Sequence, residues 1–405
     1  MYPTYRRPNK MSYQFMEPFT FKNGVTLKNR MVMAPTTTMS SFYDGQVTND
    51  EIAFYGARAG GVGMIVGEVA NVIASGKGFE GELSIASDDD IAGLSRLASA
   101  MKANGTKAVL QIFHAGRKSN DRILRGQQPV SASAVKAVFP EDSQEPRALT
   151  AAEIDEIIAA FGDATRRAIA AGFDGVELHG ANTYLLQQFF SPNSNRRTDK
   201  WGGDRDARMG FAKAVIASTQ AAIDQFADRP FLLGYRLSPE EIETPGIRLD
   251  DSLAFVDMLG ESPVDYLHVS MGSAHRTSLN DKSDHMPILT QIKDRLAGRK
   301  PLIGVGSVET PQDAEDVLAL GTDLVAMGRE MIREPQWVEK VLDHDEASLR
   351  YQLSPSEMDE LRIPRAMQAY LKGAFYSVMH FTTDPNTAAD YQNAAAPMEG
   401  FEKKM

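Results

Sequence analysis

The residues best suited to chemistry lie in one stretch, GFDGVELHGANTYLLQQFFSPNSNRRTD, residues 172–199. Asp174 to Leu178 is a short apolar run behind a glycine turn, which predicts a buried parallel strand. His179, Asn182 and Tyr184 follow at once. A histidine and an asparagine can donate hydrogen bonds to the same carbonyl oxygen, and a tyrosine is a neutral acid with a proton to give. Taken alone, the stretch reads as a capped strand end whose polar groups are satisfied. Whether it does chemistry depends on which other groups the fold brings to the same place.

The elements that must position these residues follow a regular pattern. Phe19 to Lys28 predicts a small hairpin, with Asn23-Gly24 supplying the positive φ angles of a tight turn. Apolar strand-like runs then recur at 30–35, 64–69, 107–113, 174–178, 231–237, 264–270, 301–306 and 323–329. Helical spacing fills the intervals, and Thr150 with Glu153 has capping-box spacing ahead of an alanine-rich helix. Eight strict β-α alternations argue a parallel sheet closed on itself, so the expected fold is α/β, a single (β/α)8 TIM barrel. An open doubly wound sheet is the less economical alternative. The expected layout is an N-terminal arm at 1–16, a hairpin cap and barrel at 17–344, and a C-terminal extension at 345–405. That extension carries an aromatic patch, Tyr370, Phe375, Tyr376 and Phe381, and could cap the barrel, meet a second subunit or fray. The tail past about residue 385 is expected to be weakly ordered.

In such a barrel the chemistry sits at the C-terminal strand ends. There the chain places Pro35-Thr36-Thr37, Glu68-Val69, Gln111 with His114, His179 to Tyr184, Arg236, Ser270, Gly306-Ser307 and Gly328-Arg329. Glycine turns after strands seven and eight, with the helix start at Thr310 and with Arg329, suit a phosphate group. Gln111 offers a donor and an acceptor to the edge of a planar heterocycle, and Arg236 can stabilise negative charge that develops on it. A barrel-interior polar residue and an ion pair are the structural alternatives for these two. His268 and His114 read as structural, and His275, His285, His344 and His380 as surface residues.

Composition narrows the partners. The net charge of −11 disfavours nucleic acid and anionic lipid, and a chain without cysteine has no disulfide, thiolate metal site or cysteine-held iron–sulfur cluster. No pair of histidines or carboxylates has metal-ligand spacing. No apolar run approaches bilayer length and no signal-peptide core follows the basic N-terminus, so the expectation is a soluble cytoplasmic protein acting on a small molecule, with self-association left open.

Asn29-Arg-Met-Val-Met-Ala-Pro35, Tyr55 to Glu68 (YGARAGGVGMIVGE), Gln111-Ile-Phe-His-Ala-Gly-Arg117, Phe173 to Gly203 and Ala326-Met-Gly-Arg329 together resemble the Old Yellow Enzyme family of FMN-dependent ene-reductases. The resemblance spans most of residues 17–340. It implies non-covalent FMN across the barrel mouth, with its phosphate near Gly306, Ser307, Gly328 and Arg329. It puts the ring against Ala34, Pro35, Thr36, Val69, Gln111 and Arg236, with Thr37 tuning the flavin. It makes His179 and Asn182 the ligands of a substrate carbonyl or nitro oxygen and Tyr184 the proton donor. NADPH or NADH would supply electrons in a ping-pong reduction of an enone or nitro-alkene. Longer relatives carry an iron–sulfur domain and a second nucleotide-binding domain; lacking cysteine and further chain, this protein is expected to take electrons from a pyridine nucleotide in the substrate pocket itself.

Three positions depart from the family pattern. Val69 stands where alanine or glycine is usual, Thr183 replaces a glycine before the tyrosine, and the C-terminal region does not match. Arg362 and Arg365 read as solvated surface charge rather than as parts of a neighbouring site. Two other readings are a flavin-free phosphate-binding barrel of aldolase or isomerase type, and a non-catalytic FMN-binding protein. The first would want a lysine or paired carboxylates at the strand ends, and the second has no use for the His179, Asn182, Tyr184 set.

Overall fold

In the computed structural model, which describes residues 13–373 and 375–382, eight parallel strands close on themselves. They are β1 (Met31–Met33), β2 (Met64–Asn71), β3 (Lys107–Phe113), β4 (Gly175–Gly180), β5 (Leu232–Leu237), β6 (Tyr266–Val269), β7 (Leu302–Val305) and β8 (Leu324–Met327). Closure comes from β8 pairing with β1 and β1 with β2, so the barrel has no free edge. Every described residue of these strands is buried except Lys107, because side chains pack the interior on one face and the helices on the other.

The outer layer is formed by α1 (Asn49–Gly56), α2 (Ile91–Met101), α3 (Ala151–Ala171), α4 (Gly210–Phe226), α5 (Leu249–Glu261), α6 (Ile288–Leu296), α7 (Pro311–Ala319) and α8 (Arg329–Arg333). The Thr150/Glu153 capping box forms as the spacing requires, each side chain closing on the other's backbone N–H. The hairpin pairs Phe19 with Leu27. Its Phe21, Val25 and Leu27 pack with interior residues Val32, Met64, Val109, Leu232 and Ile303, plugging the barrel away from the strands' C-terminal ends. Most of the N-terminal arm and the tail past 385 lie outside the described residues.

Two features aim side chains at the mouth. Between Val66 and Val69 the β2–β3 register shifts, a bulge that brings Val69 opposite Gln111. It also directs the buried Glu68 carboxylate to the backbone N–H and hydroxyl of Thr38, in the loop after β1. The same loop is held by Tyr55, whose hydroxyl donates to the Thr36 carbonyl and accepts from the Glu68 N–H.

The C-terminal extension docks on the barrel. Arg58, fully buried, donates to the carbonyls of Phe54, Met331, Ile332 and Leu361. Arg333 reaches the Tyr351 carbonyl from below. Helix α9 (Trp337–Leu342) and helix α10 (Arg365–Lys372) follow α8, and Met367 and Leu371 of α10 enter the main core. His380 is buried as well, not on the surface: Leu353 donates to its carbonyl, and burial with Arg333 and Arg329 nearby lowers its imidazole pKa to about 4.

Candidate active site

Parallel pairing sets two rows of polar residues across the middle strands. In one row Gln111 lies opposite Glu177, which is in register with Gly234 and then Tyr266. In the next, His179, Arg236 and His268 are in register on β4, β5 and β6. Paired residues in a sheet share a face, so both rows enter the barrel together. Gly234 is required here, because a Cβ would lie 2.1 Å from the Tyr266 ring that crosses above it.

The lower row is a closed hydrogen-bonded floor. The Glu177 carboxylate accepts from Gln111 Nε2 at 2.7 Å, from the Tyr266 hydroxyl at 3.1 Å and from His268 Nδ1 at 3.0 Å. Burial pushes the Glu177 carboxyl upward, but His268, Arg236 and these donors outweigh it and hold the net value below the usual carboxylate range. His268 is thus structural on its Nδ1 side, while its Nε2 is buried with no hydrogen-bond partner among the described residues.

Above the floor, the loop after β4 turns sharply. Asn182 and Thr183 both adopt left-handed backbone, φ 56° and 63°. Asparagine tolerates this, whereas a β-branched threonine at the position is strained by about 1–2 kcal/mol. Two glutamines of the short helix Leu185–Phe190 hold the turn. Gln187 accepts from the Thr183 N–H at 2.9 Å, and Gln188 donates to its carbonyl at 2.6 Å.

The turn points the Asn182 amide at His179. Its oxygen accepts from Ser270 at 3.0 Å, which turns its nitrogen to within 3.5 Å of His179 Nε2. At that length the two nitrogens bond each other only weakly, so both could donate to a ligand oxygen placed between them. Burial, then Arg236 and His268, push the His179 imidazole far below its ordinary pKa, so it is neutral with one N–H to give. Its Nδ1 is buried without a partner among the described residues, leaving Nε2 free to carry the proton in the tautomer a ligand oxygen would select. Tyr184 stands beside it, ring centroids 5.0 Å apart, and packs edge-on against Phe113 at 4.8 Å. Close packing, then Glu82 and Tyr370, raise its hydroxyl pKa, so it keeps its proton.

Pro35, Thr36, Thr37, Asn182, Tyr184, Arg236, Gly328 and Arg329 all line one cavity that opens to solvent at the barrel mouth. Of the other residues singled out in the sequence, His179 and Gln111 lie just behind this lining in the two rows. Ala34 is buried next to Gly328, and Val69 packs with Phe113 and Ala115 against Tyr184. Gly306 and Ser307 form the adjoining corner. Gly306 has φ 137° and sits so tightly on Ala274 that no side chain fits, while Ser307 accepts from Arg329 at 2.7 Å.

The helix start at Thr310 does not join that corner. Thr310 caps the Asp313 N–H, and Asp313 accepts from the Glu309 and Thr310 N–H groups, so these amides are already used. An anion would meet Arg329 instead, because the Ser307 hydroxyl already donates to the Gly272 carbonyl while accepting from Arg329. Sequence reasoning missed Glu177 and Tyr266, which alternation alone cannot tell from core. Of the far wall of the cavity, formed by Met367, Tyr370, Leu371 and Phe375 of the extension, it marked Tyr370 and Phe375 in an aromatic patch that could cap the barrel but missed Met367 and Leu371.

These parts fit FMN. Arg329 suits its phosphate, and Gln111 and Arg236 suit the edge of its ring. Fold and site together define a flavin-dependent oxidoreductase barrel. The chain belongs to the NADH:flavin oxidoreductase / NADH oxidase family, whose model matches residues 14–347. It is 46% identical over 354 residues to the NADH:acrylate oxidoreductase of Vibrio harveyi and 44% identical over 357 residues to the NADH:fumarate oxidoreductase of Klebsiella pneumoniae (strain 342). Each match covers 87% of this chain, but only 35% and 38% of those relatives, so the chain spans about a third of their length. A probable NADH-dependent flavin oxidoreductase of Bacillus subtilis (strain 168), YqiG, is 41% identical, with 87% of this chain and 94% of that protein covered. Among solved structures, morphinone reductase in complex with tetrahydroNAD superposes with a TM-score of 0.70 at 28% identity, over 84% of this chain and 92% of that one.

Proposed function

We propose that this chain is an ene-reductase that uses NADH or NADPH to reduce the activated C=C of α,β-unsaturated carbonyl or nitro compounds. The two half-reactions take place in turn in one cavity. The observation that carries the reading is the approach of His179 Nε2 and Asn182 Nδ2, 3.5 Å apart and both able to donate to one oxygen, beside the Tyr184 ring. When bound, FMN would supply the hydride chemistry of both half-reactions.

The chain's own residues do the rest. Gln111 and Arg236 would orient the ring edge, and Arg329, steadied by Ser307, would hold the phosphate. His179 and Asn182 donate to the substrate oxygen, drawing electron density out of the conjugated C=C; aimed donors of this kind are worth about 10²–10³ in rate each. Tyr184 then gives its proton to the α carbon, so the hydride and the proton together saturate the bond, and solvent reprotonates the phenolate. Replacement of Tyr184 by phenylalanine tests the assignment. Tyr184→Phe should leave flavin reduction by NADPH within about twofold and slow reoxidation by an enone about 10²-fold or more. Equal loss in both half-reactions would remove Tyr184 from that role.

One observation favours a second reading. The relatives whose names pair NADH with acrylate or fumarate are nearly three times as long as the segment matched here. A barrel of this kind could serve as the NADH-oxidising unit of a larger system, and would then show fast reduction by NADH with no reoxidation by any alkene.

A further inference from the structure

We propose that Glu177 is a positioning residue, whose carboxylate fixes which end of the Gln111 amide faces the cofactor ring. The two are in register on adjacent strands, with Gln111 Nε2 at 2.7 Å from Glu177 Oε1, and both are sealed from solvent, 1% and 0% exposed. A glutamine amide ordinarily exchanges its oxygen and nitrogen by a half-turn at little cost. An ionised carboxylate only accepts, so a flipped Gln111 would set oxygen against oxygen in a dry interior. The amide is therefore locked with its carbonyl oxygen, and the second hydrogen of its nitrogen, directed away from Glu177.

Glu177 cannot turn aside to relax such a clash, because its other oxygen is held by the Tyr266 hydroxyl and His268 Nδ1. The groups that face it are thus Gln111, Tyr266 and His268, with Arg236 in the row above. Burial raises its pKa, but these partners more than reverse the effect and keep the carboxylate ionised. A fixed negative charge under the ring-binding residues also opposes the gain of negative charge on reduction, so Glu177 has a second, electrostatic lever on the redox potential.

The inference rests on FMN binding across the barrel mouth, as proposed above. Its test uses the full-length protein, stripped of flavin and reloaded with FMN, comparing wild type with Glu177→Gln. The substitution keeps the shape of the side chain but makes it a donor as well as an acceptor. Oxidised FMN should bind Glu177→Gln about tenfold more weakly, by fluorescence titration, with reduced FMN bound as in wild type. The midpoint potential, read against indicator dyes, should then rise by about 30 mV, the equivalent of tenfold for a two-electron couple. Wild-type affinity and potential in Glu177→Gln would overturn the proposal.

If that variant does not fold by far-UV circular dichroism, the exchanged pair Gln111→Glu with Glu177→Gln carries the test, since each hydrogen bond of the floor can still form. It should fold and bind FMN at least tenfold more weakly. Unchanged affinity, or failure of both variants to fold, would leave Glu177 a purely structural role. Wild-type protein that takes up no FMN refutes the cofactor reading, whereas wild-type uptake with an unchanged Glu177→Gln refutes this inference alone.

Discussion

The cavity has two unlike sides. Its floor and near wall come from β3 to β6, where strand register places Gln111, Glu177, His179, Arg236 and His268 and hydrogen bonds of about 3 Å lock Gln111, Glu177 and His268 together. Its far wall comes from α10 and the turn after it, where Met367, Tyr370, Leu371 and Phe375 present apolar and aromatic surface. The hydrogen bonds of Gln368 tie α10 to Asp359 and Ile363 within the extension, while Met367 and Leu371 make its apolar contact with the barrel. The first side can hold reacting atoms within tenths of an ångström, as polarising donors must be held. The second can select by shape, at a cost of only about 1–3 kcal/mol for each misfit. On the proposed function, chemistry would fall to the strands and selectivity to the extension.

Substitutions on the two sides should separate accordingly. The largest effect is expected from Asn182→Gly, which removes one donor while glycine accepts the left-handed φ without strain. Flavin reoxidation by an enone should slow about 10²-fold in stopped-flow traces. A loss below about threefold would mean that the convergence with His179 is not used. On the opposite wall, Tyr370→Ala should raise the KM for small alkenes by about tenfold and leave kcat within about twofold. A fall in kcat as large as that of Asn182→Gly would erase the division.

The pH dependence sharpens the same contrast. His179 has its pKa lowered, so it gains no proton as the pH falls to about 6; Tyr184 has its pKa raised, so it loses none as the pH rises to about 9. Reoxidation by an enone should therefore be flat between those limits. A limb near neutrality would show that one of the two titrates in use. The smallest effect concerns stability alone. Thr183→Gly should relieve the strained turn and raise the melting temperature by about 2 °C, the equivalent of about 1 kcal/mol after the added freedom of the unfolded chain. A lower melting temperature would mean that Gln187 and Gln188 fully compensate the strain.

The near side was legible in the sequence because strand ends are marked twice, by an apolar run and by the polar residues that interrupt it. Strand positions read from that pattern agree with the structure to within a few residues; the second and fourth strands each run on by two, to Asn71 and Gly180. The floor was not legible. Glu177 and Tyr266 sit inside strands that read as continuous core, and only register reveals that they face Gln111. The far wall was legible still less, since α10 is short and its place over the mouth depends on Arg58 and Arg333 reaching distant carbonyls. The helix start at Thr310 misleads for another reason: Asp313, three residues on, takes the N–H groups that a phosphate would need.

The most direct test of the account is the visible spectrum of the purified, FMN-loaded protein kept free of oxygen, after NADPH or NADH is added and then cyclohexenone or acrylate. The account predicts a flavin spectrum that bleaches with the nucleotide and returns with the alkene, with one saturated product formed for each nucleotide consumed. Bleaching without recovery would contradict the alkene half-reaction and leave an NADH-oxidising unit. A protein that holds no flavin even after FMN is supplied would contradict the account at its root.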